Sequence, residues 1–172
     1  MEQLLRDIEL QYSRLIPATL SAAQLTERLY GVFVGYHAWN AEPEDHAEMG
    51  MELSLLLESR RNQIFEEHRD PNEASYYAYS SSEFYPVPNV RIESEELRRN
   101  LLTWYSYQQS DQFGLYNAKV LDQIGRTLTS ACRILNRQDW PTDHFTEDFI
   151  VFSECMSDDP SQFGLKQCLS EE

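Results

Sequence analysis

At 172 residues the chain has the length of one domain, and its hydrophobic (41%) and aromatic (12%) content supplies a core that needs no disulfide or metal staple. No apolar run reaches the roughly 18 residues of a membrane helix, and the acidic, amphipathic start MEQLLRDIELQYSRLI is not a signal peptide. A formal net charge of −15 speaks against direct binding to nucleic acid, and three scattered cysteines (Cys132, Cys155, Cys168) form neither a disulfide framework nor a zinc motif, which places the chain most simply in the cytoplasm.

In chain order, Leu4, Leu5, Ile8, Tyr12, Leu15 and Ile16 recur at helical spacing, and Pro17 is expected to stop that helix because it removes a donor and clashes one turn back. Ser21 and Gln24 stand at capping-box spacing and predict a second, short helix. From Tyr30 the period becomes two, and YGVFVGYHAW reads as a strand over 30–39. The stretch NAEPEDHAEMGMELSLLLESRRNQIFEEHRDP is expected to be one long helix, with Pro43 in its first turn and a buried stripe of Met49, Leu53, Leu56 or Leu57, and Ile64. Asp70-Pro71-Asn72 breaks it, and ASYYAYSSSEFYPVPNV reads as strand, turn and extended segment. Glu93–Tyr107 is helical, with Leu97, Leu101, Trp104 and Tyr105 on one side. A second helix from Phe113 carries Ile124, Leu128, Ala131 and Leu135 inward, and FIVFSEC over 149–155 reads as a buried strand. The predicted architecture is a single α+β domain over 1–172, less regular from about 156. A small, mostly antiparallel sheet containing 30–39 and 149–155 is packed by four or five helices.

The charge is uneven. Residues 42–83 hold 11 acids and 3 bases (−8), and residues 139–172 hold 9 acids and 1 base (−8), around a region of +2 at 84–138. Such blocks suit an electronegative face that steers a basic protein partner. The aromatic segment lies at the end of the first block, and Tyr, Trp and Arg dominate binding hot spots. The candidate partner-binding residues are therefore Glu66, Glu67, Asp70, Glu73, Tyr77, Tyr79, Glu83, Phe84 and Tyr85, with Asp158 and Asp159 from the second block.

Two other readings compete. His37 and His46, with Glu42, Asp45 and Glu48, contain the donors of a 2-His–carboxylate metal enzyme, although H-E-x-x-H spacing is missing. The carboxylates could instead mimic phosphates and occupy a DNA-binding protein. No phosphate loop, nucleophile elbow or dinucleotide fingerprint occurs, so neither catalytic residues nor a cofactor are assigned. Nothing in the spacing fixes an oligomeric state.

A small acidic chain without catalytic motifs resembles the immunity proteins with which bacteria neutralise toxins, and the order of the strand YGVFVGY, the acidic helix after it, SSSEFYP, the long helix from Phe113 and DFIVFSEC also resembles an uncharacterised family of bacterial α+β domains. The first resemblance implies a non-enzymatic inhibitor of a toxin and carries no catalytic residue.

Overall fold

The computed structural model describes residues 1–36, 42–79, 87–108 and 118–154. Among the described residues six helices, where four or five were expected, pack with a four-stranded sheet in an α+β architecture; the added ones come from the stretch after Asn40, which breaks into two helices, and from the helix at 71–78. Helix α1 (Glu2–Ala22) buries Ile8, Tyr12, Ile16 and Leu20. It runs through Pro17 instead of stopping there, because Ile16 and Leu20 on either side of the proline are both held in the core. Ser21 belongs to its last turn, so no second helix starts at that point.

Strand β1 (Leu29–Gly35) is buried along its whole length and occupies the interior of the sheet. A strand buried on both faces must satisfy its backbone groups on both edges. That requirement explains why the single helix expected after Asn40 does not form. Helix α2 (Pro43–Gly50) ends early, and Glu52–Leu57 becomes β2, antiparallel to β1 with Val32 opposite Leu55 and Val34 opposite Leu53. The leucine run fits either period, and pairing to β1 decides it. Gly50 marks the break. The Tyr12 hydroxyl donates to its carbonyl at 2.7 Å, and a Cβ at Gly50 would lie 2.8 Å from that hydroxyl.

Helices α3 (Glu58–Glu67) and α4 (Pro71–Ala78) follow, then β3 (Asn89–Arg91), α5 (Glu95–Gln108), α6 (Ala118–Leu135) and β4 (Phe145–Glu154). The expected strand at 76–79 is therefore helical up to Ala78. Asp70-Pro71 starts a helix as well as ending one: the Asp70 side chain accepts from the Asn72 N–H at 2.8 Å, and Pro71 fills the first turn. Leu97, Leu101, Trp104 and Tyr105 are buried on α5, as are Ile124, Leu128, Ala131 and Leu135 on α6. The start of the second helix and the proposed turn at 80–86 lie outside the described residues.

The sheet order is β3-β2-β1-β4. Two pairings are antiparallel, and β1–β4 is parallel, with Phe33 opposite Phe152 and their rings 5.5 Å apart. The two outer strands are treated differently. β3 is only three residues long. On β4 the Asn136 amide acts as a surrogate strand, donating to the Val151 carbonyl at 2.9 Å and accepting from the Val151 N–H at 2.8 Å. Unpaired strand edges template aggregation, and this side chain covers the outer edge at Val151. No helix among the described residues is long and apolar enough to cross a membrane.

Asn136→Ala leaves two Val151 backbone groups without these partners, so it is expected to lower stability by about 1–3 kcal/mol. Urea unfolding together with light scattering checks this, and unchanged stability and solubility would show that the clip is dispensable.

Candidate functional site

Described acids at the start of α2, Glu42, Asp45 and Glu48, have structural partners. Glu42 and Asp45 form a reciprocal capping box, with the Glu42 N–H donating to Asp45 Oδ2 at 3.1 Å. Glu48 receives Arg91 and Arg98, each at 2.5 Å. Hydrogen bonds from Arg91 and then Arg98 hold its carboxyl below the usual glutamate value of 4.5. His46 is fully buried and stacks on Tyr105 with centroids 4.9 Å apart, while His37 lies outside the described residues. Among the described residues, no three His, Cys, Asp or Glu side chains gather as a metal-binding group. The carboxylates weighed as ligands here cap a helix and tie α2 to β3 and α5.

The α3–α4 hairpin is arranged differently. On α3, Arg60 and Ile64 point inward, which leaves Phe65, Glu66 and Glu67 outside. On α4, Ala74 and Ala78 are buried, while Glu73 and Tyr76 are exposed. Four of the predicted residues therefore share one exposed hairpin: Glu66, Glu67, Asp70 and Glu73. Some have local partners, since Gln63 donates to Glu67 at 2.8 Å and Glu73 stands 3.5 Å from His68 Nδ1. Three rings form a continuous array, with Tyr76 edge-on to Tyr77 at 5.4 Å and Tyr77 stacked on His68 at 4.6 Å.

Of the four rings singled out from the sequence, the two that are described sit deeper than the surface. Tyr77 is half-buried under His68, and Tyr79 packs against Tyr30 (5.4 Å) and Phe152 (6.3 Å) at the edge of the core. On this hairpin the exposed rings are Tyr76 at 58% and Phe65 at 46%. Helical phase was the missing signal, because alternation at strand period assigns the wrong members of Tyr76-Tyr77-Ala78-Tyr79 to the outside. Glu83, Phe84, Tyr85, Asp158 and Asp159 lie outside the described residues.

One further residue went unnoticed. Arg60 is 7% exposed, and its guanidinium donates to the Tyr30 hydroxyl and the Ala78 carbonyl at 2.7 Å each and to the Tyr77 carbonyl at 2.9 Å. The Tyr30 hydroxyl also donates to the Ala78 carbonyl. Burial pushes the Tyr30 hydroxyl up to about 12, with Arg60 pulling the other way. This fork caps the C-terminal carbonyls of α4 and fastens the hairpin to β1. On the other side, Arg61 reaches Asp148 at 2.6 Å and lies over the Tyr30 ring at 4.9 Å.

Arg60→Met removes a charged fork from buried carbonyls and is expected to cost about 2–3 kcal/mol. It should also speed amide exchange in residues 71–79, and protection equal to the parent would show that α4 is held by something else. Glu48 gives a pH signature. Its depressed folded pKa means that its stabilisation is present above the unfolded value and is lost as pH falls through the folded value. At its exposure the contribution is about 0–1 kcal/mol. The stability gap between parent and Glu48→Gln should therefore close as pH drops below 4.5; a gap independent of pH would mean that the ion pairs are not its source.

No protein-family model, curated protein or solved structure matches this chain.

Proposed function

We propose that this chain is a non-enzymatic binding protein that neutralises a basic protein partner in the cytoplasm, a toxin of the kind that bacterial immunity proteins oppose. The observation that supports the reading is the α3–α4 hairpin, which presents four exposed carboxylates with only Arg69 among them and two exposed rings, Phe65 and Tyr76. Glu66, Glu67, Asp70 and Glu73 against Arg69 leave a local charge of −3. A face of this kind attracts a basic surface at long range and offers Tyr76 to a lysine or arginine at contact. The carboxylates set how often partners meet, and the rings set how long they stay.

The test is affinity capture from the native host, followed by binding kinetics with the captured protein. Tyr76→Ala or Phe65→Ala should weaken binding mainly through faster dissociation, by about 2 kcal/mol for a ring at the centre of the contact. Neutralising Glu66, Glu67, Asp70 and Glu73 together should instead slow association by roughly 10-fold or more, and added salt should do the same. Tyr79→Ala is a poorer probe, since that ring also packs on the core. Binding that ignores both salt and these substitutions would overturn the reading. A captured partner that itself binds DNA and is displaced from it would convert the reading to nucleic-acid mimicry.

A further inference from the structure

A cavity of about 300 Å³ opens between the second half of α1 and the loop joining α6 to β4, lined by residues outside the α3–α4 hairpin. Its apolar walls are Pro17, Leu20, Leu25, Trp140 and Phe145. Small-molecule sites run from roughly 300 to 1,000 Å³, so the space suits a compact ligand. The Trp140 indole N–H is already committed to the Leu135 carbonyl at 3.1 Å, and its ring packs against Phe145 and Phe149 at 4.9 and 5.0 Å. With its donor engaged and its ring fixed, Trp140 offers the cavity an aromatic surface.

Charge selects the class of ligand. Asp139, next to Trp140 in the chain, lines the cavity and is exposed, and neither Lys nor Arg stands among the lining residues. His144, also in the lining, stands 3.5 Å from the Asp143 carboxylate. A carboxylate beside a fixed indole favours an organic cation through both Coulomb attraction and the ring quadrupole. Pro17 adds a second observation. A proline inside a helix costs about 3 kcal/mol, and positions that break a local rule concentrate at functional or strained sites; this one forms a wall of the cavity.

We propose that this cavity binds a small organic cation with a flat apolar body, the body against Leu20, Pro17 and Trp140 and the charge at Asp139. Benzamidine and its uncharged isostere benzamide are suitable probes, added to the full chain while the indole N–H signals are followed by NMR and Trp140 is assigned with Trp140→Phe. Benzamidine is expected to shift the Trp140 signal saturably and to bind about tenfold more tightly than benzamide. Asp139→Asn should abolish that preference, and Ala23→Leu, which adds bulk at a residue lining the cavity, should weaken both ligands. An unmoved Trp140 signal overturns the proposal. So does equal affinity for the two probes, or benzamidine binding that both substitutions leave unchanged.

Discussion

A buried guanidinium holds the presented surface of this protein to its core. Arg60 stands where the end of α4, the start of α3 and β1 converge, and its donors reach two terminal carbonyls of α4 and the Tyr30 hydroxyl. A helix as short as α4 is marginal on its own propensity and depends on what its ends are tied to. Asp70 ties the first end and Arg60 the second. A lysine would carry the same charge but lacks the planar fork that reaches several acceptors at once. The orientation of Glu73 and Tyr76 toward solvent follows from that anchoring, because Ala74 and Ala78 are thereby fixed against the core.

The acidic block at 42–83 is two populations with different physical roles. Glu42 and Asp45 close a helix start, Glu48 joins two arginines, and Glu58 is bridged by Arg28 at 2.8 Å. These carboxylates sit within the fold's own set of positive charges and donors. The acids at 66–73 find partners within their own hairpin, Gln63 for Glu67, His68 for Glu73 and the Asn72 N–H for Asp70, on helical turns whose inward positions are apolar or occupied by Arg60. Net charge alone could not separate the two groups, because the separation depends on which cations the fold folds back upon them.

Legibility followed the same division between local and nonlocal causes. The helices over Glu95–Gln108 and Ala118–Leu135 were readable because their apolar positions repeat at helical spacing and nothing distant competes. The strands at Tyr30 and Phe149 were readable from β-branched and aromatic runs. The conversion of Glu52–Leu57 to a strand was not, since the same leucines suit a helix and only the open edge of β1 decides. Pro17 misled for a related reason, as burial on both sides outweighs a lost donor. For the presented face, the acids were found from charge density, whereas the exposed rings required a helical phase that only Asp70-Pro71 announced.

The parallel pairing of β1 with β4 gives the fold an order in time. Leu29 faces Phe145, so the sheet's interior strand waits for the last described strand to leave the ribosome. At about 5–20 residues per second that wait is on the order of ten seconds. During it β2 can cover one edge of β1, while the backbone groups of the other edge have no strand to meet. The segment made in the interval begins with residues 42–83, whose charge is −8. The growing chain thus carries one of its two strongest like-charge blocks during that wait, and charge of one sign opposes association between chains.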